Sequence, residues 1–154
     1  MAIHRLSRTS QSLSELNKVR AIDIVKPADL PRTGDGKMQK IIVAFDVDGT
    51  LIRNTPSESR VHGTPHNDDV PIVYQINTLQ VLSTYKNIKI VVWSGGGKRY
   101  AEMWGKRLSL DKYVWRYASK LEHAELKAQC DLLIAIDDIQ ATALGDVNLI
   151  VREK

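Results

Sequence analysis

Asp46 and Asp48 stand one residue apart in the stretch FDVDGTL at 45–51, directly after the apolar run IIVA. Two carboxylates so placed repel each other, and a chain tolerates them at the end of an apolar segment when a cation sits between them. Ser94, followed by Gly95, Gly96 and Gly97, closes a second apolar run, IKIVVW at 88–93. Asp137 and Asp138 close a third, DLLIAI at 131–136. Acidic oxygen donors suit a hard ion such as Mg²⁺. A serine hydroxyl followed by glycines offers unencumbered donors to phosphate oxygens. Together these residues describe a site for a divalent cation and a phosphate group.

Such residues act in concert only if the fold brings them together. The run at 41–45 is continuously apolar, as expected of a strand buried on both faces; 88–93, 131–136 and 147–151 are largely apolar and read as further strands, and 113–117 as a short one. Between them, Pro71 to Tyr85 carries apolar residues at 72, 73, 76, 79 and 82, a helical period. Tyr100 to Leu108 and Leu121 to Gln129 suit two further helices. Strands alternating with helices predict an α/β domain with a parallel sheet and helices on both faces. In an open sheet of this kind ligands bind beyond the carboxyl ends of the strands, which is where Asp46, Asp48, Ser94, Asp137 and Asp138 fall. Residues 53–69 are polar and rich in turn formers and read as a hairpin flap.

A lysine at that edge would complete the charge balance, and topology restricts the choice. A helix leading into a parallel strand begins at the edge where the preceding strand ended. Lys120, just ahead of the helix at 121–129, meets this condition, whereas Lys127 falls near the far end of that helix. Lys98 and Arg99 follow the glycines after Ser94 and are placed to contact the rest of a substrate.

Bulk properties narrow the class. At 154 residues, 43% hydrophobic and 26% charged, the chain suits one globular domain. No apolar stretch approaches the ~18 residues of a membrane span, and the N-terminus lacks the apolar core of a secretory signal. Cys130 is the sole cysteine, so neither a disulfide framework nor a thiolate metal site is expected, and a reducing, cytoplasmic setting is the default. Residues 1–40 hold eight basic and four acidic residues, which account for the whole net charge of +4. The division is therefore a basic extension, 1–38, with a short helix through about Ile24 and a Pro/Gly linker, and a catalytic domain, 39–154. Attraction to nucleic acid would have to come from that arm or from local patches.

FDVDGTL, a strand ending in Ser94, Lys120 and IAIDD, in that order, resemble the four motifs of the haloacid dehalogenase (HAD) superfamily of phosphotransferases, over about residues 40–151. The resemblance implies a Rossmann-like sheet and a Mg²⁺-dependent phosphatase. Asp46 would be the nucleophile that forms an aspartyl-phosphate, and Asp48 the general acid and base, its backbone carbonyl touching the metal. Thr50 would fix the Asp48 loop; Ser94, Gly95 and Lys120 would hold phosphate oxygens. Asp138 aligns with the family's usual metal ligand. The family commonly has Gly-Asp there, so Asp137 is a departure, serving as a direct ligand or behind one. The 45 residues between Asp48 and Ser94 and the 25 between Ser94 and Lys120 leave no room for a cap domain. An uncapped site favours nucleic-acid ends, phosphoproteins, or an oligomer that shields a small substrate. DDVPIVYQINTLQVL and IAIDD are similar to 3′-phosphatase domains of polynucleotide end-healing enzymes, although a kinase P-loop is missing.

Two rival classes use the same residues. One is a catalytically quiet binding or regulatory module on the same sheet; the other is an oligomeric sugar-phosphate phosphatase. A receiver domain also clusters acids with Ser/Thr and Lys, but its phosphorylated Asp ends the third strand, unlike the pattern here. His62 and His66, with Arg53 and Arg60, read as solvated loop residues. Trp93, Trp104 and Trp115 lie in or beside apolar runs and read as core rather than as base-stacking platforms.

Overall fold

The computed structural model describes residues 34–54, 69–139 and 144–151. The expected helix of the N-terminal arm, and most of the hairpin flap with His62 and His66, lie outside these residues. Seven strands and three α-helices follow in chain order among them: β1 (Ile41–Asp46), β2 (Ile52–Arg53), β3 (Val70–Pro71), α1 (Val73–Leu82), β4 (Ile88–Ser94), α2 (Lys98–Arg107), β5 (Arg116–Ser119), α3 (His123–Ala128), β6 (Leu132–Asp137) and β7 (Val147–Ile150). Five strands form a central sheet in the order β5-β4-β1-β6-β7, and every pairing in it is parallel. β2 and β3 form a separate antiparallel pair, with Ile52 opposite Pro71 and Arg53 opposite Val70. The two strands flank the polar segment that follows β2.

β1 is the central strand, and all six of its residues are buried. Its side chains alternate between two cores. Ile41, Val43 and Phe45 point to the layer holding Leu79 of α1 and Tyr100, Ala101 and Trp104 of α2. Ile42 and Ala44 point to the opposite layer, with Leu126 of α3. The period of two in a strand thus places helices on both faces, as the continuous apolar run required. The chain winds outward from β1 to β4 and β5, then returns to the other side of β1 for β6 and β7. The direction of winding reverses between β1 and β6, a topological switch point of the kind beside which open sheets bind ligands at the strands' carboxyl ends.

Three boundaries differ from the sequence-based expectation. The strand expected at 113–117 begins instead at Arg116, because the backbone N–H groups of Tyr113 and Val114 bond back to the Leu110 carbonyl and are not free for a ladder. The helix expected at 121–129 starts earlier, as a 3₁₀ turn over Lys120–Glu122. Its start is fixed by a reciprocal cap in which the Ser119 hydroxyl accepts from the Leu121 N–H and the Glu122 carboxylate accepts from the Ser119 N–H. In α1, Leu79 lies in the core with Ile76 and Leu82 packed against it, but Val73 is 63% exposed. It sits about 100° around the helix from Ile72, off the buried face.

Candidate active site

The loop from Val47 to Leu51 sets the geometry of the first two acids. The N–H groups of Thr50, Leu51 and Ile52 all donate to the Val47 carbonyl, and Gly49 N–H donates to the Ile52 carbonyl. This compact turn needs a positive φ of 76° at Gly49, a conformation glycine adopts without strain. A side chain at 49 would also overlap the Asp138 carboxylate, so Asp138 rests directly on the loop. Thr50 is fully buried, its N–H part of the turn and its hydroxyl without a hydrogen-bond partner among the described residues.

Asp46 ends β1 at the switch point and is 5% exposed. Burial, reinforced by the charges of Asp137 and Asp138 and opposed by Lys120, pushes its pKa up from 3.8 to about 8. Lys120 Nζ lies 3.0 Å from Asp46 Oδ1 and 2.6 Å from Asp137 Oδ2. Burial alone would lower the lysine's pKa, but Asp46 and Asp137 outweigh it and the net direction is upward. Asp137 ends β6 and is 1% exposed; Lys120 bonds one of its oxygens and the Ile139 N–H the other. Asp138 is half-buried, and burial together with Asp137 raises its pKa. Carboxylate oxygens of Asp46, Asp137 and Asp138 all lie within 4.8 Å of one another. Trans oxygens across an octahedral Mg²⁺ stand about 4.2 Å apart at ~2.1 Å per bond. The three carboxylates therefore have the donor chemistry and nearly the spacing to hold a small divalent cation.

Asp48 is turned to other partners. Its Oδ1 accepts from the Tyr100 hydroxyl at 2.8 Å and from Asn54 Nδ2 at 2.7 Å, so α2 and the end of β2 fix the carboxylate's orientation. Ser94 ends β4, is 2% exposed, and accepts from the Gly96 N–H at 2.9 Å, which leaves its hydroxyl proton for another acceptor. Gly95 is exposed, and α2 begins after Gly97 (φ 100°) without a side-chain cap. Lys98 and Arg99 are exposed at this helix start and form no ion pair among the described residues. Lys127, near the far end of α3, pairs at 3.3 Å with Asp146, which precedes β7 at the opposite edge of the sheet, in line with the expectation that it points away.

The structure thus brings Asp46, Asp137, Asp138 and Lys120 into direct contact and places Asp48 and Ser94 at the same strand ends. Tyr100 and Asn54 escaped sequence reasoning. Tyr100 looks like one more apolar residue of α2, and its hydroxyl contact depends on where that helix crosses the sheet. Asn54 sits in a turn-rich segment where an asparagine carries no special signal. No protein-family model, curated protein or solved structure matches the chain.

Proposed function

We propose that the protein is a Mg²⁺-dependent phosphomonoester hydrolase of HAD type, uncapped, working through an aspartyl-phosphate on Asp46. The observation that supports this most is the buried Asp46 carboxylate 3.0 Å from Lys120, within 4.8 Å of two further carboxylates. In this reading an Asp46 oxygen attacks phosphorus while the bond to the leaving oxygen breaks, and Asp48 gives that oxygen its proton. A water then attacks the phosphorus of the acyl phosphate and passes its proton to Asp48, which frees Asp46 and inorganic phosphate. Tyr100 and Asn54 hold Asp48 in position for both transfers. The Ser94 hydroxyl and the Lys120 ammonium donate to phosphoryl oxygens, and Lys120 offsets the repulsion between Asp46 and the incoming dianion. A Mg²⁺ ion held by Asp46, Asp138 and the Asp48 carbonyl would supply further charge neutralisation, with Asp137 oriented by Lys120 behind them. The substrate class we favour is the phosphate ends of nucleotides or polynucleotides, a choice supported by the exposed Lys98 and Arg99 beside the rim.

Turnover of p-nitrophenyl phosphate with Mg²⁺, followed by a panel of 3′- and 5′-phosphorylated oligonucleotides, mononucleotides, sugar phosphates and phosphopeptides, tests this. Loss of turnover in a folded Asp46→Asn variant is the expected result. Full activity in that variant would remove the nucleophile, and silence across the whole panel would favour a binding module.

A further inference from the structure

The edge of the sheet opposite the acids carries a hollow of about 280 Å³, lined by Lys40, Lys86, Asn87, Lys89 and Trp115 among others. Lys40 precedes β1, Lys86 and Asn87 precede β4, Lys89 lies in it, and Trp115 precedes β5, so the hollow sits at the strands' amino ends. From the geometry of this edge we infer a binding site for single-stranded nucleic acid, with Trp115 as a stacking platform for a base and the three lysines as contacts for the flanking phosphates. The site goes beyond the phosphatase reading and does not depend on it.

Two observations carry the inference. First, Lys40, Lys86 and Lys89 surround the hollow, and none has a carboxylate at ion-pair distance among the described residues. The acid beside them, Asp131, accepts from the Lys40 backbone N–H and does not reach the lysine ammonium groups. Second, Trp93 is fully buried and Trp104 is 4% exposed, whereas Trp115 is 43% exposed and lies outside both core clusters. A large exposed ring among unpaired cations is poorly explained by packing, and bases stack on such rings while phosphates meet the cations. The hollow falls just under the ~300–1,000 Å³ range of drug-sized pockets, which suits one base rather than an extended groove.

The test uses the full chain and a fluorescein-labelled, twelve-nucleotide single-stranded oligothymidylate with hydroxyl ends, so that no terminal phosphate engages the acidic rim. Binding is followed by anisotropy across salt concentrations. A Lys86→Glu/Lys89→Glu variant is expected to bind at least tenfold more weakly. Its slope of log affinity against log salt should fall by about 1.4, near 0.7 per lost contact. Trp115→Ala should cost about fivefold or more, and Trp115→Phe should recover most of the loss, which a merely structural role would not require. Turnover of p-nitrophenyl phosphate, where present, should be unchanged in these variants. Unaltered oligonucleotide affinity in the lysine and Trp115→Ala variants would overturn the site and place binding in the N-terminal arm. Equal affinity for a duplex, for polyglutamate or for anionic phospholipid vesicles would overturn the assignment to single strands, as would no binding at low salt.

Discussion

Asp46→Asn should make the metal-free protein more stable at alkaline pH and abolish its response to Mg²⁺. The Asp46 carboxyl is 5% exposed, and its pKa stands near 8 in the folded chain against 3.8 in water, mainly because burial disfavours the charge. Between these values the folded state holds a proton that the unfolded chain has released, so stability falls as pH rises from about 4 to about 8 and stays low above that. At 1.36 kcal/mol per pH unit the loss is on the order of 5 kcal/mol. Lys120, whose pKa is raised above 10.5, keeps its charge throughout this window. Asparagine keeps the shape and removes the titration, but it also deprives Lys120 of one charged partner while Asp137 at 2.6 Å stays in place. A net gain of about 1–3 kcal/mol at pH 8.5 follows, which for a domain of this size is roughly 3–10 °C in Tm, shrinking towards zero at pH 4.5. Thermal melts in EDTA across pH 4.5–9 measure it. Repeating them with Mg²⁺ at about a hundred times its Kd should stabilise the wild type by about 2.7 kcal/mol and the variant far less. A variant-to-wild-type difference that is flat from pH 5 to 9, or equal stabilisation of both by Mg²⁺, would refute the reasoning.

Other perturbations probe the neighbouring parts. Gly49→Ala forces a side chain into a positive φ and into the Asp138 carboxylate, so Mg²⁺ affinity by calorimetry should drop at least tenfold while circular dichroism stays native. Unchanged affinity would show that Asp138 is no ligand. Tyr100→Phe removes the 2.8 Å donor to Asp48 and leaves Asn54, so kcat should fall about tenfold or more with little change in KM. A variant with unchanged kcat would reduce Tyr100 to a packing role. Inorganic phosphate should raise Tm in the presence of Mg²⁺ and leave it unchanged in EDTA, because the rim without a cation is acidic; protection in EDTA would contradict that account.

The strand-end residues were legible because a parallel sheet makes position in the chain a guide to position in space. An apolar run followed by Asp46, Ser94 or Asp137 marks both a buried strand and the edge where its end emerges. Lys120 was found by the same logic, since a crossover must begin where its strand finished, and the lysine lies 3.0 Å from Asp46. Details that depend on side-chain reach were not legible. Nothing in the spacing of α2 reveals that the Tyr100 hydroxyl meets Asp48. Nothing in IAIDD reveals that Asp137 is occupied by Lys120 and the Ile139 N–H while Asp138 leans on Gly49. Trp115 was misread as core because the segment before β5 looks like a strand; turn hydrogen bonds to Leu110 keep 113 and 114 out of the sheet, and the ring emerges beside the lysines.

The parallel topology also explains why the two edges carry opposite charge. Asp46, Asp48, Asp137 and Asp138 gather at the carboxyl ends against Lys120, while Lys40, Lys86 and Lys89 gather at the amino ends beside Asp131. A phosphate dianion nearing the acidic edge meets like charges, each costing about 4 kcal/mol per unit of phosphate charge at 4 Å and an effective dielectric of 20. One lysine already shared between Asp46 and Asp137 cannot offset several such terms, so the edge favours phosphate only with a divalent cation present and with Lys98 and Arg99 at its mouth. The basic edge does not relieve this repulsion. A six-residue strand such as β1 separates the edges by about 20 Å, more than two Debye lengths at physiological salt. Each edge therefore acts on its own ligand, and only a chain long enough to span the domain can engage both. If the two sites serve one substrate, they discriminate by its length rather than by its charge.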